Sequence, residues 1–264
     1  MPAKSISEIE NWVLKLEEYY QQFTTCYSYN NIIRFFGQNN NNIDNGCNGW
    51  HAELEINKSK EYYLNSTSYS TTVHYMSDVH ISNHCDHSVE ADEYFIDNIE
   101  EGAGLTCVSG TGGGSDNYAG FLFPPNISTY SFSNANPNFI FGNTCYLGNT
   151  SDPDCQYGTV LENLLVNPND GIIGALGPTV GTTEFTVKVG YDAFFNILKN
   201  KNISTVGLLA KELMNDFYNC DTVKFYSARN GVLLRSRTDI HDYHAKSLVL
   251  YGDPSMPLAL YQHK

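Results

Sequence analysis

Cys145 is the residue of this sequence whose position best suits nucleophilic chemistry. It follows a short apolar run, Asn138–Gly142, and lies in the small and polar stretch Asn143–Gly148. A second apolar run, Ala103–Val108, ends in the glycine-rich stretch Ser109–Asp116. Short apolar runs bounded by glycine and asparagine are typical of buried parallel strands. Because open α/β sheets keep their functional sites at the carboxyl ends of such strands, the sequence predicts Cys145 where a nucleophile would lie.

A cysteine nucleophile needs a thiolate, hydrogen-bond donors for the oxyanion, and an acid that protonates the leaving group. A thiol with the ordinary pKa of about 8.5 is only roughly 3% thiolate at pH 7, so it needs an ionising partner. Backbone N–H groups from Gly112 to Gly114 could donate to the oxyanion. The alternative for Cys145 is an inert thiol buried at a strand end, and the residue taken by itself favours that alternative.

A second group of residues has the side-chain types that bind zinc. It consists of Asp78, His80, His84, Cys85, Asp86 and His87. No second pair of ligands follows at zinc-finger spacing, and Ile81-Ser82-Asn83 does not favour the helix that would bring His80 and His84 together. A polar loop with chance histidines is therefore favoured over a metal site.

The glycine run Gly110–Gly114 is a weak candidate for a phosphate-binding loop. It lacks the Lys-Ser/Thr pair of a P-loop and the GxGxxG-then-helix arrangement of a dinucleotide site. Nucleotide binding is therefore disfavoured.

Helix-like and strand-like stretches alternate along the chain, and this alternation predicts a mainly parallel sheet covered by helices on both faces. The predicted helices are Ser5–Gln22, Glu90–Ile99, Tyr157–Val166, Gly190–Leu198 and Thr205–Tyr218. The predicted strands are His51–Ile56, Thr71–Tyr75, Ala103–Val108, Asn138–Gly142, Ile172–Leu176 and Ser247–Tyr251. Ser5 is the expected N-cap of the first helix, and Gly102 the expected C-terminal cap of the second.

Three details of this assignment bear on the core. Ile9, Val13, Leu16 and Tyr20 share one side of the first helix and are predicted to form its apolar face. From Cys26 to Trp50 no periodic pattern is visible, and the polar tract Gln38–Asn42 predicts a loop. Phe121–Pro137 is predicted to be a long irregular loop of the kind that often binds ligands.

Composition limits the possible partners. The chain has 264 residues, of which 41% are hydrophobic, and a formal net charge of −14. That charge argues against nucleic acid and anionic membranes as partners, and no apolar run approaches the roughly 18 residues that cross a bilayer. Met1–Lys4 leads directly into the first helix, so no signal peptide is visible. Without repeats or a flexible linker, one domain is expected.

The cysteines are seven in number and widely spaced, with no paired CxxC spacing. Cys107 lies inside an apolar run and is predicted to be a core residue. Cys155 ends the polar stretch Asp152–Cys155 and is predicted to lie in an exposed turn.

Several segments resemble, in order and spacing, the gingipain-type cysteine peptidases. They are Pro2–Ser5 with Val13–Tyr19, Ile99–Gly104, Phe139–Gly148, Leu161–Gly171, Asp192–Leu198 and Leu250–Pro254. The resemblance covers nearly the whole chain. It implies a caspase-like three-layer α/β sandwich whose mainly parallel sheet is flanked by helices, and one peptidase domain over residues 1–264.

The resemblance carries further expectations. It implies a peptide or protein substrate and an extracellular setting. It also implies that the chain begins partway into the catalytic region of the family, with the upstream strands missing or supplied elsewhere. Domains of this kind can carry structural calcium, although no ligand set can be named here, and no other cofactor is expected.

One position departs from the family pattern. The first catalytic strand of the family ends in Gly-His-Gly, and the matching triplet here is Gly110-Thr111-Gly112. The nucleophile position is kept in Cys145, whereas Thr111 occupies the histidine position. Two hypotheses follow: a cysteine peptidase impaired by Thr111, with oxyanion donors near Gly112, or a non-catalytic domain that binds a peptide or protein. His241 and His244 are the candidates for a substitute base.

Overall fold

Strands and helices alternate along the part of the chain that the structure, a computed structural model, describes. This part comprises residues 4–23, 31–37, 60–61, 63–65, 70–75, 89–110, 132, 138–144, 147, 160–167, 172–179, 184–219 and 245–258. The strands are β1 (Ile32–Gly37), β2 (Ser70–Tyr75), β3 (Leu105–Gly110), β4 (Asn138–Thr144), β5 (Ile172–Pro178) and β6 (Leu248–Tyr251). The helices are α1 (Ile6–Phe23), α2 (Val89–Glu101), α3 (Val160–Val166), α4 (Glu184–Asn200) and α5 (Val206–Tyr218).

The six strands form one sheet in the order β2-β1-β3-β4-β5-β6. The first five run parallel, and β6 pairs antiparallel with β5 at the edge. Parallel strands require crossover connections, and α2 and α3 each lie between two parallel strands that follow one another in the chain. The mainly parallel α/β sheet predicted from the sequence is therefore confirmed.

Helices cover the sheet on both faces, so its central strands are buried on both sides. All seven residues of β4 and all seven of β5 are buried. A hydrophobic core lies on each face of the sheet, and neighbouring residues of β3 belong to different cores. Cys107 packs with α4 and α5 on one face, whereas Val108 packs with α2 and α3 on the other. This arrangement explains the short continuous apolar runs in the sequence, since a strand buried on both faces does not alternate in polarity.

Helix α1 begins as the sequence predicts but buries a different face. The Ser5 hydroxyl accepts a hydrogen bond from the Glu8 backbone N–H at 3.2 Å, which confirms the N-cap. Leu16 is buried as predicted, but Ile9 and Val13 are 47% and 40% exposed, and Tyr20 is exposed as well. The predicted apolar face was therefore wrong in three of its four members.

Amphipathic side chains explain the difference. The ammonium of buried Lys15 donates to the Leu164 carbonyl at 3.1 Å, and the indole N–H of Trp12 donates to the Ile173 carbonyl at 3.2 Å. The Tyr19 hydroxyl donates to the Pro257 carbonyl at 2.6 Å. These side chains bury their stems and rings while their polar ends bind backbone carbonyls, so a purely apolar periodicity misses the buried face.

Strand β1 lies in the stretch where the sequence showed no pattern, and it is the main element that sequence analysis missed. It pairs with both β2 and β3, and Ile33 and Phe35 are fully buried. Arg34 interrupts the apolar run between them. Its guanidinium is buried and donates hydrogen bonds to groups at the end of α2. The residue that breaks the apolar pattern of the strand therefore has hydrogen-bond partners in the folded protein.

Most other boundaries agree with the predictions within a few residues. Gly102 has a φ of 78° after α2, which confirms it as the C-terminal cap, and the Thr205 hydroxyl caps α5 by accepting from the Leu208 N–H. Helix α4 starts at Glu184, earlier than predicted.

The predicted strand His51–Ile56 lies outside the described residues, and of the loop Phe121–Pro137 only buried Phe132 is described. No described helix has the length and apolar character to span a bilayer.

Helix α5 approaches the backbone that follows β6 so closely that only glycine fits at one position. The Gly207 N–H donates to the Pro254 carbonyl at 2.9 Å. A Cβ at Gly207 would lie 2.5 Å from that oxygen and 2.8 Å from the Pro254 Cβ.

We therefore expect Gly207→Ala to lower the free energy of unfolding by about 2 kcal/mol, the usual cost of overpacking. Helix propensity alone would predict a gain of up to about 1 kcal/mol, so the sign of the change tests the contact. Urea unfolding measures it, with Lys211→Ala on the exposed side of α5 as the control. A stabilised Gly207→Ala would show that the helix is not held against Pro254.

Candidate active site

The carboxyl ends of β3 and β4 lie side by side at one edge of the sheet. The two strands are parallel neighbours, and their register pairs Ser109 with Asn143 and Gly110 with Thr144. Strand β3 ends at Gly110, and strand β4 ends at Thr144. The adjacent parallel strand ends on which the predicted site depends are therefore present.

The residues predicted to act at this edge follow the strand ends directly in the sequence. Thr111 and Gly112 come after Gly110, and Cys145 comes after Thr144. All three lie outside the described residues, as do His241 and His244. Their assignment as site residues stays a prediction.

The predicted zinc-type cluster, from Asp78 to His87, also lies outside the described residues. Within the described part of the chain, no group of three or more histidine, cysteine, aspartate or glutamate side chains is placed to hold a metal ion. No ligand set for calcium can be assigned from these residues.

Beneath the strand ends, on the α4 side of the sheet, lies a buried polar layer. It contains Ser109 and Asn143 from the strands and Tyr191 from α4, each at most 1% exposed. A Cβ at Gly190 would lie 2.4 Å from the Asn143 Nδ2, so α4 approaches the end of β4 closely at a glycine. The polar layer therefore joins α4 to the two strands that lead to the candidate site.

Burial determines the protonation states of Tyr191 and of Cys107, which packs in the same core. It raises the pKa of the Cys107 thiol well above its usual value, because a thiolate would be desolvated there. Cys107 is fully buried, as predicted, and stays a neutral core thiol. Burial also raises the pKa of Tyr191 well above its usual value; Cys107 adds to the rise and the Ser109 hydroxyl opposes it. Neither group can supply an anion at neutral pH.

Within the described part of the chain, no hydrogen bond of normal geometry reaches the Tyr191 hydroxyl or the Ser109 hydroxyl, although the two lie close enough for Ser109 to lower the pKa of Tyr191. A buried hydroxyl without a partner costs about 1–3 kcal/mol in lost hydration. We therefore expect Tyr191→Phe to raise the free energy of unfolding by about 1 kcal/mol.

A second tyrosine provides a matched control for this prediction. The Tyr19 hydroxyl is bonded to the Pro257 carbonyl, so Tyr19→Phe should lower the free energy of unfolding by about 1 kcal/mol. Denaturant titrations of both variants give the sign of each change in the free energy of unfolding. Equal losses in both would show that Tyr191 has a partner.

Leu147, two residues after Cys145, is a feature of the site that sequence analysis did not single out. Its side chain is 1% exposed and packs on the opposite face of the sheet from Tyr191, in the core formed by α2 and α3. A Cβ at Gly142 would lie 1.8 Å from the Leu147 Cδ2, and one at Gly177 would lie 3.1 Å from it. In the sequence, the only sign of this contact is that Gly142 and Gly177 end two apolar runs. Glycines in such positions indicate the end of a strand but not the side chain that packs against them.

Comparison with solved structures shows the fold. The crystal structure of the Arg-specific cysteine proteinase gingipain R (RgpB) matches with a TM-score of 0.63 at 14% identity, over 97% of this chain and 54% of that one. The complex of the Porphyromonas gingivalis RgpB pro- and mature domains matches with a TM-score of 0.61 at 17% identity, over 97% and 55% of the two chains.

Another protease structure gives a TM-score of 0.63 at 15% identity, over 97% of this chain and 54% of that one. The chain thus spans about half the length of the structures it matches. These matches confirm the caspase-like α/β fold expected from the resemblance.

Sequence comparison gives the family. No curated protein matches the sequence significantly. The profile of Peptidase family C25 matches residues 1–259. That match covers nearly the whole chain and agrees with the gingipain-type resemblance of the segments quoted above, so this chain belongs to Peptidase family C25, the gingipain family.

Proposed function

We propose that this protein is a cysteine-peptidase-type domain that binds peptide or protein chains at the carboxyl edge of its sheet. In this proposal Cys145 is the nucleophile, and hydrolysis is slow because Thr111 occupies the histidine position. The observation that carries the proposal is the register of β3 and β4, which pairs Gly110 with Thr144. One residue further along each strand, Thr111 would face Cys145 across neighbouring strands. Family membership supports the same pairing.

The direction of the side chains supports the proposal further. Ser109 and Asn143 precede Thr111 and Cys145 by two residues, and both belong to the face of the sheet that α4 covers. Since side chains two residues apart along a strand share a face, Thr111 and Cys145 would share that face if the strands continued. A thiol and its partner need such a shared side to exchange a proton.

The chemistry of such a site explains why turnover would be slow. The Cys145 sulfur attacks the peptide carbonyl, the C–N bond breaks, and the departing amine takes up a proton; water then hydrolyses the thioester. Backbone N–H groups from Gly112 to Gly114 would stabilise the oxyanion in both steps. Threonine neither accepts nor releases a proton near neutral pH, so the leaving amine lacks its acid and the thiol lacks its ionising partner.

A second candidate function is peptide or protein binding without cleavage. The observation that favours it is Thr111 itself, because the loss of both proton-transfer roles reduces catalysis without closing a binding groove. Under either function the net charge of −14 opposes nucleic acid and anionic membranes as partners. We further propose that residues 1–264 act as one domain and that the protein works outside the cell, as the gingipain resemblance implies.

The proposed nucleophile is tested by incubating the protein with a mixed peptide library and identifying the products by mass spectrometry. The unmodified protein should cleave slowly, Cys145→Ala should not cleave, and Cys155→Ala should cleave like the unmodified protein. Cleavage that survives in Cys145→Ala would refute the assigned nucleophile. Peptides that are retained intact by both the protein and Cys145→Ala would favour the second function.

A further inference from the structure

Helix α1 carries apolar side chains that the packing of the domain leaves exposed to solvent. Ile6, Ile9, Val13 and Tyr20 are 76%, 47%, 40% and 38% exposed. Single exposed apolar residues are common on protein surfaces and need no explanation. These four are separated by three, four and seven residues, so they lie along one side of the helix as a continuous row, which we call the α1 stripe. A contiguous exposed apolar surface indicates an interaction site.

The spacing of the α1 stripe is that of a coiled-coil seam. Ile6, Val13 and Tyr20 recur every seven residues, and Ile9 lies three residues after Ile6, so the four occupy a and d positions of a heptad repeat. At 1.5 Å for each residue, the stripe is about 21 Å long, which matches about four turns of a second helix. Leu16, at the next d position, is buried, so the stripe runs along the border between the buried face of α1 and solvent.

Carboxylates flank the α1 stripe on its solvent side. Glu10 and Glu17 occupy the e positions of the repeat, and both are exposed. On the other flank, Trp12 and Tyr19 are anchored to the domain through hydrogen bonds to backbone carbonyls. The one cation of α1, Lys15, is buried and also bonded to a backbone carbonyl. A partner of this surface therefore meets apolar side chains bordered by negative charge.

We propose that the α1 stripe is a docking surface for an amphipathic helix of another protein, one that carries Lys or Arg beside its apolar side chains. Opposite charges at the flanking positions of paired helices determine partner and orientation. A second copy of α1 does not fit. Antiparallel pairing would bring the glutamates of the two copies together, and parallel pairing would need the flank that is packed against the domain.

This surface is separate from the candidate active site. The Tyr20 hydroxyl donates to the Asp253 carboxylate at 3.2 Å, and the Trp12 indole donates to the carbonyl of Ile173, the second residue of β5. Helix α1 thus contacts β5 near its amino end, whereas the candidate active site lies at the carboxyl ends of the parallel strands. The inference therefore does not rest on the proposed peptidase function.

The experiment measures the binding of a fluorescent synthetic helix of three heptads, with leucine at the a and d positions and lysine at the e and g positions. A second peptide replaces each of these lysines with glutamate. Fluorescence anisotropy gives the two dissociation constants at about 150 mM salt. The lysine peptide should bind about tenfold or more tightly than the glutamate peptide, and the ratio should fall as salt is raised.

Variants of α1 locate the binding. Ile9→Gln/Val13→Gln should weaken binding of the lysine peptide by about tenfold or more, because it removes the centre of the apolar contact. Glu10→Gln/Glu17→Gln should weaken it by about threefold and reduce its salt dependence. Leu14→Gln is the matched control, since Leu14 is 62% exposed on the same helix but lies outside the stripe. It should bind within about twofold of the unmodified protein. Because all five positions are exposed, an unchanged urea midpoint is expected and verifies folding.

Absent binding of the lysine peptide, equal binding of the two peptides, or an equal loss in Leu14→Gln would overturn the inference. Two further measurements address other occupants of the surface. Sedimentation velocity that finds a dimer lost in Ile9→Gln/Val13→Gln would assign the stripe to a second copy of the chain. Binding to phosphatidylcholine vesicles that is lost in the same variant would assign it to lipid, and either result refutes a basic helix as the partner.

Discussion

Replacing Thr111 by histidine is expected to raise kcat/KM for Cys145-dependent peptide hydrolysis by about 10²–10⁴-fold. That range is the usual contribution of a positioned general acid or base. Histidine has an ordinary pKa of about 6.5, so near neutral pH it can both take the proton of a thiol and return one to the leaving amine. The gain depends on Thr111 facing Cys145, which the parallel register of β3 and β4 supports.

The rate is measured with a peptide substrate taken from the library experiment, across pH 5 to 9. Thr111→His should introduce a limb of the pH–rate profile near the histidine pKa of about 6.5. Thr111→Gln is the matched control, since it adds a polar side chain of similar reach that cannot transfer a proton. Thr111→His/Cys145→Ala should be inactive. An equal gain in Thr111→Gln, or no gain in a folded Thr111→His, would refute the assigned histidine position.

The sequence predicted the strands that frame this site because apolar strands buried on both faces appear as short continuous apolar runs. Four predicted strands, Ala103–Val108, Asn138–Gly142, Ile172–Leu176 and Ser247–Tyr251, correspond to β3 to β6 within two residues at each end. The alternation of strands with helices favoured a mainly parallel sheet. The structure has this arrangement for β3, β4 and β5, whereas β6 is antiparallel. That arrangement brings the ends of β3 and β4 together, as observed in the register of Gly110 and Thr144.

The supporting residues of the site could not be predicted, because they depend on contacts between elements distant in sequence. Leu147 belongs to a stretch of small and polar residues, and only the tertiary fold places it against Gly177 of β5. Tyr191 lies in the predicted helix Gly190–Leu198, but the position of its buried hydroxyl beside Ser109 depends on the packing of α4 over β3. Periodicity gives the face of an element but not the partner of each side chain.

Buried polar side chains caused the two failures in the fold assignment. In α1 the ammonium of Lys15 binds a backbone carbonyl, so the helix buries a lysine and leaves Ile9 and Val13 exposed. In β1 the central residue is Arg34, which is only 6% exposed. A charged residue inside a six-residue strand breaks the apolar run that sequence reasoning uses, and nothing local indicates that its charge is satisfied elsewhere.

Groups at the end of α2 accept the hydrogen bonds of the buried Arg34 guanidinium. The guanidinium donates to the Gly102 carbonyl at 3.2 Å, to the Asn98 Oδ1, and to the Glu101 carboxylate at 2.8 Å. The last carbonyls of a helix lack intrahelical partners, and a cation there also complements the helix dipole. Asn138 completes the cap by donating to the Ile99 carbonyl at 3.0 Å. Side chains of β1 and β4 thus hold α2 against the sheet.

We expect Arg34→Met to lower the free energy of unfolding by about 3 kcal/mol. Methionine fills much of the same volume, but Asn98 Oδ1 and the Gly102 carbonyl lose a donor in a buried setting, at about 1–3 kcal/mol for each acceptor. The Glu101 carboxylate contributes little, because its side chain is 67% exposed and can turn to water. Urea unfolding measures the loss, which should appear as a lower midpoint at an unchanged m-value.

Glu101→Gln separates the buried contacts from the ion pair. It removes the charge but leaves the Arg34 bonds to Asn98 and Gly102 in place, so its cost should stay below about 1 kcal/mol. Equal losses in Arg34→Met and Glu101→Gln would assign the stabilisation to the ion pair instead. A small cost for Arg34→Met would mean that water reaches Asn98 and Gly102. The unequal result is the expected one, because the fold tolerates an arginine inside β1 only while the buried acceptors at the end of α2 bind it.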